Sequence, residues 1–193
     1  MELHFKHCCS SCIQFRNLAV MNMLEKFPHI RTFVFDVDGV LTDGNLLILE
    51  DGHMARTMNI KDGFALQLAI KKGYRVLVLS GASLNAVNER LNKLGITDCF
   101  FGVLNKKEKL MEYVQHHQQK WQEILFMGDD IPDLEAMQLV GLPCCPSDAV
   151  TEIKKVSWYI SPEAGGKGCV RDVIEKVLRL NGDWTADTGI VSK

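Results

Sequence analysis

The chain has 193 residues, 47% of them hydrophobic and 24% charged, and a formal net charge of -2. This is the balance of one soluble globular domain, long enough to bury a core without disulfide or metal staples. It excludes bulk attraction to nucleic acid or anionic membrane, and no apolar run approaches the roughly 18 residues a spanning helix needs.

Seven cysteines (Cys8, Cys9, Cys12, Cys99, Cys144, Cys145 and Cys169) at irregular spacing do not form a secreted disulfide framework, so a reducing, cytoplasmic setting is expected. Residues 1–22 differ from the rest and read as an N-terminal extension of unknown role. Cys8, Cys9 and Cys12 beside His4 and His7 have the residue types of a zinc site, but no second ligand pair follows. A loose tail is the simpler reading. The extension lacks a signal-peptide layout, and Met21 or Met23 could be the true start.

From residue 31 the pattern alternates. Residues 32–35 (TFVF) form an apolar run fit for a strand buried on both faces. Residues 46–49 and 54–60, joined through Asp51-Gly52, read as a hairpin. A helix over 63–72 stops at Gly73, and residues 74–79 make the next strand. Ser83 can cap a helix with apolar positions Leu84, Val87, Leu91 and Leu94, ended by Gly95. Then come a strand at 99–103, a helix at 107–117, a strand at 123–127, a short helix at 133–139, a strand at 158–160 and a helix at 170–180. This alternation predicts an α/β fold with a doubly wound parallel sheet and a small β-hairpin insert. In such a sheet the site lies beyond the carboxyl ends of the strands. The chemically loaded residues all follow strands: Asp36 and Asp38, Ser80, and Asp129 with Asp130.

Asp36 and Asp38 repel each other at a strand end, a conflict that a hard cation such as magnesium resolves by taking oxygen ligands. A lone pair of this kind is as often two solvated turn aspartates. The string Asp36-Val37-Asp38-Gly39-Val40-Leu41-Thr42 is more specific, and it resembles the first motif, DxDGxxT, of haloacid dehalogenase phosphatases. Gly128-Asp129-Asp130-Ile131-Pro132-Asp133 taken alone could be an acidic helix start. Beside the first string it resembles the GDDxxD motif of the same superfamily.

The resemblance covers roughly residues 30–180 and implies a division of labour. Asp36 is the nucleophile that forms an aspartyl-phosphate. Asp38 protonates the leaving group and then activates water. Magnesium is held by Asp36, Asp129 and the backbone carbonyl of Asp38, with Asp130 and Asp133 in support. Ser80, with Gly81 beside it, contacts the phosphoryl group, and Lys106 neutralises it. Lys107 and Lys109 are close competitors, and the distance to Gly128 and the preceding Gly102 favour Lys106. Little chain separates Thr42 from the helix after the hairpin, so the resemblance is to the minimal-cap branch, which closes its site by forming a homotetramer.

Two further strings, Met58-Asn59-Ile60-Lys61-Asp62-Gly63 and residues 165–172 (GGKGCVRD), resemble the 3-deoxy-D-manno-octulosonate 8-phosphate (KDO 8-phosphate) phosphatase family. So does Gly141-Leu142-Pro143-Cys144-Cys145-Pro146. The glycine-rich string alone could be an ordinary loop or an anion cradle. The implied partner is a small sugar-acid phosphate, whose carboxylate Arg56, Lys61, Lys167 and Arg171 could meet. One departure stands out: after Ser80-Gly81 the family places an arginine, whereas this chain reads Ala82-Ser83. The expected organisation is a phosphatase domain over 23–182, with its hairpin insert at about 43–61 and a tail over 183–193. Three rivals remain: a phosphatase for a nine-carbon sugar acid 9-phosphate, a phospho-signalling receiver domain, and a non-catalytic scaffold. The receiver lacks an acid-base carboxylate two residues after its aspartate, and the scaffold would not need the intact set.

Overall fold

A computed structural model describes residues 24–83 and 85–190. The extension with its cysteine and histidine cluster, and Leu84, lie outside the described residues.

Six parallel strands form the sheet, in the order β5-β4-β1-β6-β7-β8. They are β1 (Thr32–Phe35), β4 (Arg75–Leu79), β5 (Asp98–Phe100), β6 (Ile124–Met127), β7 (Leu142–Cys145) and β8 (Tyr159–Ile160). Two further strands, β2 (Leu47–Ile48) and β3 (Met54–Ala55), make a separate antiparallel hairpin. The helices are α1 (Ile60–Lys71), α2 (Asn85–Lys93), α3 (Lys106–His116), α4 (Leu134–Met137), α5 (Thr151–Val156) and α6 (Cys169–Leu180).

Strand periodicity divides the core in two. Phe33 and Phe35 point to one face and pack with Leu66 and Leu68 of α1, Leu91 of α2 and Val173 of α6. Val34 points to the other, with Leu110 of α3, Met137 of α4 and Ile153 of α5. Covered on both faces, the central strands are buried throughout. The chain passes outward from β1 to β4 and β5, then returns to place β6 on the opposite side of β1. The winding therefore reverses between β1 and β6, and the crevice beyond their carboxyl ends is where such folds bind ligands.

Several boundaries differ from the sequence pattern. α1 starts at Ile60, three residues earlier than expected, because the Asn59 side chain accepts from the backbone N–H of Lys61. The hairpin strands are short, and only a Thr42–Met58 bridge continues the pairing toward the sheet. α3 starts at Lys106, with Asn105 accepting from the N–H of Glu108. The expected short helix is a 3₁₀ turn, Ile131–Asp133, running into α4. The sequence pattern missed β7, whose Pro143 argues against an inner strand; here its carbonyl accepts from the N–H of Trp158. It also missed α5. Beyond α6 the chain folds back: Asp183 accepts from the Tyr74 hydroxyl at 2.7 Å, and Trp184 packs edge-on against Phe64.

Candidate active site

The loop after β1 carries the first acidic string in a tight wound turn over Val37–Leu41. Gly39 has φ +90°, and a Cβ there would fall 2.0 Å from Oδ2 of Asp129, so only glycine lets the two acidic loops close on each other. The glycine-rich string braces this loop from behind. A Cβ on Gly165 would lie 2.0 Å from the carbonyl oxygen of Gly39, and the N–H of Gly166 donates to Val40 at 2.9 Å. Its glycines are thus spent on close backbone packing.

A cavity of about 560 Å³ opens at the switch point. Asp36, Asp38, Ser80, Gly81, Lys106, Asp129, Asp130 and Asp133 all line it. Lys106, only 6% exposed, lies with its Nζ 2.7 Å from Oδ1 of Asp36 and 2.6 Å from Oδ1 of Asp133. This separates it from its neighbours: Lys107 pairs with Glu135 and Lys109 with Glu112. Asp133, almost fully buried, also accepts from the N–H of Asp129 through Oδ2. It therefore holds Lys106, the cation beside Asp36, and the Asp129 backbone together. Ser80 is buried at the end of β4, its Oγ accepting from the N–H of Ala82 at 3.2 Å.

The electrostatics are unbalanced. Oxygens of Asp36, Asp129 and Asp133 come within 4.8 Å of one another, three carboxylates against the single ammonium of Lys106. Burial, then repulsion from Asp133, pushes Asp36 up to about 6 despite Lys106. Burial, then repulsion from Asp36, Asp133 and Asp130, pushes Asp129 up to about 8. Burial alone would lower Lys106; attraction to Asp133 and Asp36 outweighs it and raises its pKa, so it stays charged. Oδ1 of Asp129 is buried with no hydrogen-bond partner among the described residues. An orphaned carboxylate oxygen facing further carboxylates fits one hard cation with oxygen ligands. Because both oxygens of Asp133 are engaged, Asp36 and Asp129 are the side chains left to hold it.

Several expected residues are placed differently. The Asp38 carboxylate stands outside the three-carboxylate cluster and is gripped by Arg56, Nε to Oδ1 at 2.7 Å and Nη2 to Oδ2 at 3.2 Å. Arg56 therefore pairs with the protein's own Asp38 while also lining a cavity beside the hairpin. Asp130 is exposed and accepts from the N–H of Ile131, capping its turn instead of buttressing the cluster. Lys61, Lys167 and Arg171 line a separate cavity of about 460 Å³. There Arg171 pairs with Glu175 and lies over the rings of Trp184 and Phe64, while Lys167 approaches Asp43 at 3.6 Å.

Sequence reasoning missed two residues. Arg90, on α2, lines a third cavity of about 740 Å³ beside the hairpin, and that cavity shares Ala82 with the aspartate site. It supplies a cation near the position where the family arginine is lacking; its place two helical turns past Ala82-Ser83 was the available signal. Asp62, 2% exposed, accepts the N–H of Arg171 at 2.7 Å and so caps α6 from α1. Burial first pushes it up to about 6.

Fold and site together define a doubly wound α/β hydrolase whose centre is a carboxylate cluster at the switch point. No protein-family model matches the chain. The 3-deoxy-D-manno-octulosonate 8-phosphate phosphatase KdsC of Escherichia coli K12 is 29% identical over 161 residues, 83% of this chain and 86% of that protein. A structure from Pseudomonas syringae, described as a probable YrbI family phosphatase, is 32% identical with a TM-score of 0.82, covering 84% of this chain and 93% of that one. The Moraxella catarrhalis 3-deoxy-D-manno-octulosonate 8-phosphate phosphatase, solved with magnesium, phosphate and KDO, is 29% identical with a TM-score of 0.81 over 84% and 93%. The chain belongs to the haloacid dehalogenase superfamily, in the family of these 3-deoxy-D-manno-octulosonate 8-phosphate phosphatases.

Proposed function

We propose that the chain is a magnesium-dependent phosphatase that converts KDO 8-phosphate to KDO and phosphate. The observation that carries the chemistry is the buried Lys106 between Asp36 and Asp133, next to a carboxylate oxygen of Asp129 that lacks a partner. Such a site is one divalent cation short of balance. Magnesium, held by Asp36, Asp129 and the backbone carbonyl of Asp38, would supply positive charge opposite the phosphoryl oxygens.

The chain's own residues do the rest. Lys106 offsets the charge that would keep a carboxylate nucleophile away from a phosphate ester. Asp36 attacks phosphorus in line: its oxygen–phosphorus bond forms as the bond to the sugar oxygen breaks. Asp38 gives its proton to that oxygen, then takes one from the water that cleaves the aspartyl-phosphate. Ser80 donates its hydroxyl to a phosphoryl oxygen. The substrate follows from similarity to relatives named for it, and Arg90 is the cation best placed for a carboxylate beyond the aspartate site.

The same proposal includes a homotetramer in the cytoplasm. Leu47, Ile48 and Met54 of the hairpin are 56–69% exposed, an apolar patch that a neighbouring subunit would cover. Cys99, Cys144, Cys145 and Cys169 are free thiols, in keeping with a reducing compartment, and no helix among the described residues is long and apolar enough to cross a membrane. Phosphate release from a panel of sugar phosphates, with magnesium and with EDTA, tests the reading. The highest kcat/KM should fall on KDO 8-phosphate and vanish in EDTA. A nine-carbon 9-phosphate turned over more efficiently, or release that ignores EDTA, would refute it. Light scattering should give a tetramer; a fully active monomer contradicts that part.

A further inference from the structure

The hairpin reaches the Asp38 carboxylate through one side chain, Arg56. Arg56 directly follows β3, and its side chain is 11% exposed. The chain beside it is anchored: the Thr57 hydroxyl donates to Asp43 at 3.1 Å, and Met58 bridges Thr42. From this fixed base one edge of the guanidinium takes both oxygens of Asp38. A two-point grip fixes the plane of a carboxylate as well as its position. The remaining neighbour is the Thr42 hydroxyl, 3.3 Å from Oδ1. Among the described residues, no other group bonds either oxygen of Asp38 and holds it at the cavity mouth.

We propose that Arg56 is a positioning residue, which aims the Asp38 carboxyl at the leaving-group oxygen and acts on ester cleavage only through Asp38. The inference rests on the phosphatase reading above. It assigns Arg56 a task beyond lining the cavity it shares with Arg90, because its Nε–Nη2 edge already holds Asp38. Proton transfer requires the two heavy atoms at about 2.6–3.2 Å, and a displacement of about 1 Å costs on the order of 100-fold in rate. A sugar alkoxide cannot leave without that proton. A nitrophenolate can, so cleavage of its ester is indifferent to where Asp38 points.

The test measures kcat/KM, which reports steps through the first bond cleavage, for the wild type, Arg56→Ala and Arg56→Lys. The substrates are KDO 8-phosphate, a pentose 5-phosphate without a carboxylate, and 4-nitrophenyl phosphate. Arg56→Ala should lose about 100-fold on both sugar phosphates alike and far less on the nitrophenyl ester. Arg56→Lys should recover part of the loss, since lysine offers charge without the fork. A loss confined to KDO 8-phosphate would make Arg56 a substrate grip and overturn the proposal. Equal losses on all three esters would mean a general structural role and overturn it too, as would no loss at all. A wild type that hydrolyses none of the esters would sink the phosphatase reading itself.

Discussion

Asp129→Asn should stabilise the metal-free protein while removing its response to magnesium. Asp129 is pushed up to about 8, by burial first and then by Asp36, Asp133 and Asp130. In the unfolded chain the same carboxyl titrates near about 3.9. The folded value is the higher one, so protonation favours the folded state. That contribution is fully present below about pH 4 and is lost as pH rises toward and through about 8. At about 1.4 kcal/mol per unit, the cost at pH 7 has a ceiling near about 4 kcal/mol. Asp129 is only partly buried, and solvent screening cuts this to about 1–2 kcal/mol. For a domain of this size that is a rise of about 3–6 °C in Tm for Asp129→Asn in EDTA at pH 7 to 8, shrinking to nothing near pH 4. Magnesium should raise the wild-type Tm, because only the folded state binds it, and leave the variant unmoved. Thermal unfolding across pH, with EDTA and with magnesium, reads both effects. A variant less stable than wild type in EDTA at pH 8, or one that keeps the magnesium response, would refute the argument.

Asp36→Asn should abolish magnesium-dependent phosphate release without lowering Tm, since the charge it removes is one that burial already disfavours; near-wild-type turnover would exclude Asp36 as nucleophile. Lys106→Met strands Asp36 and Asp133 without their cation, so urea unfolding should show a loss of about 3–5 kcal/mol together with loss of activity. Gly165→Ala forces a Cβ against the carbonyl of Gly39 and should cost about 1–3 kcal/mol and most of the turnover. If that variant keeps full kcat, the glycine string does not brace the catalytic loop.

What the sequence made legible was whatever is written locally. Val34 sits between Phe33 and Phe35 on a strand covered on both faces, so β1 announces itself as an uninterrupted apolar run. The aspartates follow such runs directly, and their meeting at the switch point follows from the winding alone. Spacing from Gly102 and Gly128 favoured Lys106 over Lys107 and Lys109, and the pairings separate them further, because three lysines at the start of one helix differ in the direction each faces. The strand β7 stayed hidden because its proline reads as a break until a neighbouring N–H is seen to need only the carbonyl. Arg56 and Arg171 were expected to meet a substrate carboxylate, and each has a partner in the chain as well. A cation's sequence neighbours do not say which carboxylate it will find, and both found one within the chain, Asp38 and Glu175.

The hairpin combines two weaknesses. Strands of two residues cannot sustain a free ribbon, and Leu47 and Ile48 are left 63% and 69% exposed. Its base is nonetheless tied at three successive residues, Arg56 to Asp38, Thr57 to Asp43 and Met58 to Thr42. All three partners belong to the loop that follows Asp36 or its immediate continuation. The exposed tip and Asp38, the acid-base group proposed above, are therefore joined by one short lever, and Arg56 is its inner end. Any contact that orders the tip, such as the neighbouring subunit proposed here, also narrows the positions open to Arg56 and through it to Asp38. Shortening the tip should accordingly weaken cleavage of alkyl phosphates more than of nitrophenyl phosphate, the same asymmetry expected of Arg56→Ala. A tip deletion that slows both esters equally would show that the arm serves assembly or folding, with no share in aiming Asp38.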